Sequence, residues 1–203
     1  STDQTSTLVR ERYPDVFLMA QPNMGPAAAR NAGLAQASGE LIAFLDSDDL
    51  WPEDFLKLQT NAMFEEDGVG IVFGYVRLFS RDESDGIPGE ICFHGLPTLL
   101  LQLGGGLYRK EVFDRVGSFN PAFRSGGEDT DWILRAIEAG IRIKINPAAV
   151  LYYRQHPASM THGKSLAQLN FLRVIKHSID RRRQTSEREI RPLPKLKIPP
   201  LED

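Results

Sequence analysis

Glu40-Leu41-Ile42-Ala43-Phe44-Leu45-Asp46-Ser47-Asp48-Asp49-Leu50-Trp51 is the stretch whose reading decides the fold. Leu41 to Leu45 is a short, wholly apolar run, the pattern of a strand buried on both faces of a sheet. It breaks off in three carboxylates, Asp46, Asp48 and Asp49. Aspartate is a poor strand former, and acids this close repel unless a cation or hydrogen-bond donors offset them. A buried strand that delivers acids at its carboxyl end is where open α/β sheets hold ligands. Hard oxygen donors of this kind suit Mg2+ or Mn2+ bridging to a substrate phosphate. The same residues also read as an Asp-rich turn, with Asp49 or Ser47 capping a helix that Pro52 starts.

Upstream, Thr5 to Tyr13 reads as a short helix ended by Pro14, because the residue before proline avoids the helical region. Val16 to Ala20 reads as a strand, and Pro26 to Ala37 as an alanine-rich helix closed by Gly39. Downstream come an amphipathic helix over Pro52 to Glu65, a long strand over Val69 to Phe79 and a polar surface turn over Arg81 to Pro88. Glu90 to Leu101 is apolar but broken by Gly95 and Pro97, and fits no single element. Gly104-Gly105-Gly106 reads as a flexible hinge or a close-approach surface. A short strand at Leu107 leads into a helix from Lys110 to Val116, and a second helix runs from Asp129 to Ala139. Ile141 to Ile145 and Val150 to Arg154 read as two strands with a turn at Asn146-Pro147, and Ser165 to Arg183 as a helix. Strands alternating with helices predict an α/β fold: a mostly parallel central sheet with helices on both faces, and a smaller mixed second half. Residues 1–183 form one domain on this reading. Residues 184–203 are a charged, proline-rich tail, either disordered or an extended arm.

A chain of 203 residues is long enough for one such domain with a sizeable core. Its net charge of -3 offers no electrostatic case for nucleic-acid binding. Cys92, the single cysteine, rules out an internal disulfide, and with no signal peptide in view it suggests a cytoplasmic setting. No apolar run approaches the roughly 18 residues of a spanning helix. The basic run Arg181-Arg182-Arg183 is a solvated helix end or a peripheral contact with an anionic membrane. Four histidines without paired cysteines argue against zinc. No phosphate loop of the Gly-x4-Gly-Lys type is present, and Ser47, Cys92 and Ser125 lack a nucleophile-elbow setting.

Three further clusters carry chemistry. Asn23-Met24-Gly25-Pro26 opens a helix whose amino terminus can face an anion, with Arg30 one turn in, either as an ordinary surface residue or as a contact to base, ribose or phosphate. Gly126-Gly127-Glu128-Asp129-Thr130-Asp131 starts another helix; its acids act as caps or as a general base, and the two roles are compatible. Tyr153-Arg154-Gln155-His156 follows a strand, where Arg154 can neutralise a departing diphosphate and His156 can complete a metal site or simply be solvated.

Taken in order, Asn23-x-Gly25, Ala29-Arg30-Asn31-x-Gly33, Ala37-x-Gly39-Glu40 and Phe44-Leu45-Asp46-Ser47-Asp48-Asp49 resemble the family 2 glycosyltransferases of GT-A fold. Tyr108-Arg109-Lys110-Glu111-Val112-Phe113, Val116-Gly117-x-Phe119, Gly127-Glu128-Asp129-x-Asp131 and Arg154-x-His156 continue the resemblance, which spans about Ser1 to Thr161. It implies metal-dependent transfer of a sugar from a nucleotide-diphosphate sugar, most often a UDP-sugar, to a hydroxyl on a saccharide, lipid-linked or other acceptor. It implies that Asp46 holds ribose, that Asp48 binds Mn2+ or Mg2+ with Asp46 and His156 as further ligands, and that Arg30 contacts the base. Asn23, Gly25 and Ser47 join the donor-binding set, and Arg154 and His156 lie near the leaving diphosphate. Asp129 is then the base of an inverting displacement, with Asp131 as second choice. Acceptor selection falls to residues 90–106 and the carboxyl-terminal helix. The family opens with a strand, a helix and a second strand, of which Ser1-Thr2-Asp3 matches only the closing loop, so the chain is expected to be incomplete at its amino end. The alternatives are a non-catalytic nucleotide- or sugar-binding relic of the same fold, and a nucleotidyltransferase, which would release pyrophosphate from a nucleoside triphosphate.

Overall fold

The computed structural model describes residues 3–81, 89–124, 126–159, 163, 165, 170–184 and 192–201. Among them the elements are α1 (Thr5–Arg12), α2 (Pro26–Gln36), β1 (Leu41–Ala43), α3 (Phe55–Phe64), β2 (Val69–Arg81), β3 (Ile91–Leu99), β4 (Leu107–Arg109), α4 (Lys110–Val116), α5 (Glu128–Glu138), β5 (Arg142–Arg154) and α6 (Phe171–Gln184). The surface turn expected at 81–88 falls, past Arg81, outside the described residues, as do Ser125 and Thr161.

The sheet is built around β2. One edge of β2 pairs antiparallel first with β4 (Ile71↔Tyr108, Val72↔Leu107) and then with β3 (Tyr75↔Leu99 to Arg81↔Ile91). Its other edge pairs in parallel with β5, from Val69↔Arg142 to Phe79↔Arg154, and β1 closes the sheet on β4. The expected mostly parallel sheet is thus corrected to a mixed one: β2 and β5 are its one parallel pair among the described strands. Side-chain alternation marks strands but carries no sign of their direction, which explains the difference.

Helices do cover both faces. Because side chains alternate, the row Ile42–Tyr108–Ile71 points to one side and the row Ala43–Leu107–Val72 to the other. The first row joins the larger core, where Trp132 of α5 stacks on Phe113 of α4 at 4.5 Å and Tyr108 meets Trp132 edge-on at 5.6 Å. The second row packs on Ala62 and Met63 of α3. Burying side chains of this size contributes about 1.5–3 kcal/mol each.

Four local readings change. Strand β1 is only three residues long, and Ile42 alone is buried in it. Phe44 leaves the ladder to pack edge-on against Tyr108, Phe113 and Phe119, and Leu45 is 43% exposed. Residues 16–20 form no strand: no described strand pairs with them, and Val16 and Phe17 face solvent. The Asn146-Pro147 turn is instead an irregularity within continuous β5, where Asn146 Nδ2 donates to Leu58 O while its Oδ1 accepts from Ala148 N. Residues 91–99, unassigned from sequence, form β3, an exposed strand that gains its hydrogen bonds from β2.

Gly104 to Gly106 close up rather than hinge. Trp51 Nε1 donates to Gly104 O at 2.7 Å, and buried Gln59 Nε2 donates to Gly105 O at 2.9 Å. Residues 192–201 are extended, with Tyr75 Oη donating to Pro199 O at 2.6 Å.

Candidate active site

A cavity of about 410 Å3 opens at the carboxyl end of β1, lined by Asp46, Ser47, Asp48 and Asp49 on one side and by Glu128 and Asp129 on the other. Arg30, Tyr153, the Gln102–Gly104 turn and, from α6, Phe171 and Val174 complete its wall.

The acid loop is pinned at both ends. Phe44 anchors its start in the aromatic core, and Leu50 exchanges backbone hydrogen bonds of 3.0 and 2.9 Å with Tyr152 of β5 at its end. Between them Asp49 N donates to Asp46 O at 3.1 Å, closing a turn. Asp49 is buried, and its Oδ1 accepts from Arg154 N at 2.9 Å. Burial above all pushes its carboxyl up to about 7; the Arg154 N–H pulls the other way, and the charges on Asp48 and Asp46 add to the rise. Asp49 is therefore the buried member of the loop, while Asp46 and the half-buried Asp48 are the more exposed carboxylates on the same cavity. His156 Nε2 lies 3.0 Å from Asp48 Oδ2.

Opposite, Gly126 and Gly127 take φ of 110° and 90°, which lets the chain turn straight into α5. Asn170 Nδ2 donates to Gly126 O at 3.0 Å and so ties the start of α6 to this loop. Glu128, Asp129 and Asp131 fall in the first turn, where the helix dipole favours negative charge. Asp129 is half-buried on the cavity wall, its Oδ1 accepting from Thr130 N at 2.6 Å. Burial raises the Glu128 carboxyl, the charge of Asp129 adds to this, and Arg30 opposes it.

The structure brings Arg30, Asp46, Ser47, Asp48 and Asp129 onto one cavity, with His156 bonded to Asp48. It leaves others aside. Asp131 is 1% exposed and paired with Arg135 (3.0 Å) and Arg181 (3.0 Å), away from the cavity wall. Asn23 is exposed, its Oδ1 accepting from Gly25 N. Gly25 has φ of 88°, and a Cβ there would meet Arg124 O at 2.9 Å, so its glycine serves close chain packing. The backbone N–H of Arg154 is engaged with Asp49. In sequence Glu128 reads as a cap or a general base, and Gln102, which also lines the cavity, is not singled out. The pairing of Glu128 with Arg30 has no local signal, because 98 positions separate the two residues.

Among the described residues no group of three His, Cys, Asp or Glu is gathered for a metal ion. A cavity-facing carboxylate with a second one beside it still fits Mg2+ or Mn2+, which complete their shells with phosphate oxygens and water.

Comparison with known proteins shows the family. The family model "Glycosyl transferase family 2" matches residues 1–125. The chain belongs to that family. It is 30% identical over 175 residues to an uncharacterized glycosyltransferase of Nostoc sp., covering 78% of this chain and 54% of the relative, so it spans about half that protein's length. S. aureus TarS 1-349 in complex with UDP-GlcNAc has a similar fold, with a TM-score of 0.68 at 21% identity over 90% of this chain and 55% of that one. The mannosyltransferase PcManGT from Pyrobaculum calidifontis, in complex with GDP-Man and Mn2+, matches at a TM-score of 0.50 and 23% identity over 71% of this chain and 42% of that one. No helix among the described residues is long and apolar enough to cross a membrane.

Proposed function

We propose that the protein transfers a sugar from a nucleotide-diphosphate sugar, a UDP-sugar in the first instance, to an acceptor hydroxyl, with inversion at the anomeric carbon. The observation that carries this reading is the placement of Asp46 and Asp48 on the same cavity as Asp129. Family membership supports it, as does the likeness to folds solved with UDP-GlcNAc and with GDP-Man and Mn2+.

Asp48, with Asp46 and His156 beside it, would hold a divalent cation that acts as a Lewis acid on the leaving diphosphate. Asp46 and Ser47 orient the donor. Asp129 takes the proton from the acceptor hydroxyl as that oxygen attacks the anomeric carbon. Asp131 carries no part of the chemistry, because Arg135 and Arg181 already hold both its oxygens. Phe171 and Val174 on the cavity wall make α6 part of the acceptor side.

The test is incubation with UDP-, GDP- and dTDP-sugars, Mn2+ and a panel of hydroxyl acceptors, read as released nucleoside diphosphate. Release with one donor class, lost in Asp129→Asn, supports transfer. Donor binding without release, unchanged by Asp129→Asn, would instead mark a binding relic.

A further inference from the structure

The Arg30 side chain touches both walls of the cavity. Its Nη2 lies 2.9 Å from Asp46 Oδ1 in the acid loop, and its Nη1 lies 2.5 Å from Glu128 Oε1 in the first turn of α5. Three separate pieces of chain, spaced 16 and 98 positions apart, thus meet in one guanidinium. The Arg30 side chain is only 14% exposed and that of Glu128 5%, so water screens the inner bond little. Glu128 Oε2 is buried with no hydrogen-bond partner among the described residues, which leaves Arg30 as the group that balances this acid. A planar, forked cation held at both tips sets angle as well as distance. Both terminal nitrogens being engaged, the group is badly placed for the nucleobase contact that the family resemblance implies.

We propose that Arg30 is a positioning residue that locks the acid loop to the start of α5, and so sets the separation between the donor's diphosphate, seated at Asp46 and Asp48, and the base Asp129. This assignment rests on the transferase reading. Misplacement of reacting groups by about 1 Å costs on the order of 100-fold in rate, so a brace of this kind acts on turnover more than on donor affinity.

The experiment compares wild type with Arg30→Lys, Arg30→Met, Glu128→Gln and the double variant Arg30→Met/Glu128→Gln. The readouts are kcat with the donor found in the nucleotide-release panel, and Kd for UDP by calorimetry. Arg30→Met is expected to lower kcat by roughly 100-fold and to leave the UDP Kd within about threefold. Glu128→Gln is expected to lower kcat too, the double variant to be no slower than Arg30→Met, and Arg30→Lys to recover part of the loss. Effects that multiply in the double variant would show that the two residues act separately. A large loss of UDP affinity in Arg30→Met, with Glu128→Gln at wild-type activity, would make Arg30 a donor contact. Either result overturns the proposal. If Arg30→Met does not fold, Arg30→Lys and Glu128→Gln make the same comparison. Amide exchange at residues 128–131 does not depend on turnover: it is expected to speed by about tenfold in Arg30→Met while the rest of α5 is unchanged. Unchanged exchange would remove the brace even if transfer were confirmed, whereas faster exchange in a protein that releases no nucleotide would keep the cross-link and remove the transferase role.

Discussion

His156 Nε2 lies 3.0 Å from Asp48 Oδ2, joining the loop after β5 to the acid loop 108 positions earlier. The pair places an imidazole next to a carboxylate that lines the cavity. Asp48→Ala is expected to abolish the Mn2+-dependent part of UDP binding. His156→Ala is expected to weaken it by about 10- to 100-fold, the usual effect of losing a residue that orients a metal ligand. Calorimetric titration of UDP with and without Mn2+ checks both, and equal UDP affinity with and without Mn2+ in wild type would remove the cation from the site.

Asp49 links stability to pH. Burial chiefly raises its carboxyl from 3.8 to about 7, against the Arg154 N–H and aided by Asp48 and Asp46. The folded protein therefore keeps a proton that the unfolded chain gives up near pH 4, so stability falls as pH rises from about 4 to about 7 and is level above that. The full interval is worth up to about 4 kcal/mol. Asp49→Asn keeps an acceptor for Arg154 N and has no charge to bury. It is expected to match wild type at pH 4 and to exceed it by about 2–4 kcal/mol at pH 8 in urea unfolding. The same difference at both pH values would mean that Asp49 titrates as in the unfolded chain.

Asp129 and Asp131 share a helical turn and are expected to behave oppositely. Asp131→Asn leaves Arg135 and Arg181 facing a neutral group in a nearly closed site, at a cost of about 3 kcal/mol in stability. Asp129→Asn loses at most about 1 kcal/mol of dipole interaction but all turnover. Thermal unfolding and nucleotide release, measured on both variants, separate the roles.

Gly106 packs against the aromatic core. A Cβ there would collide with Tyr108 Oη, which is fully buried and donates to Leu103 O at 3.1 Å. Gly106→Ala is expected to cost about 2 kcal/mol or more by forcing Tyr108 from its place. Gly33, inside α2, has nothing within 4 Å of such a Cβ, so Gly33→Ala should stabilise by roughly 0.5–1 kcal/mol. A drop in Tm for the first and a rise for the second is the check.

Much of the site was legible in sequence because it sits in short contiguous runs. The acid triplet after β1 and the Gly-Gly-Glu-Asp entry to α5 both announce themselves by composition. Partner and direction were not legible. Nothing in the pattern of Val69 to Phe79 says that one edge of that strand takes two antiparallel neighbours in turn. Asn146-Pro147 looked like a turn, yet the strand absorbs the proline by shifting register while Asn146 finds its partners on α3. Arg30 reads in sequence as a surface residue or a ligand contact, and its ion-pair partners Asp46 and Glu128 lie in segments that only folding brings near.

Strand β2 touches β3, β4 and β5 at once, and its other contacts include α3. The acid loop hangs from β1 through β4, and the His156 loop from β5, so both loops of the candidate site share a single axle. Unfolding of β2 itself would release both loops together. Protection of the β2 amides should consequently rise and fall with the cooperative melting of the whole sheet, and loss of catalysis on heating should track that melting rather than precede it.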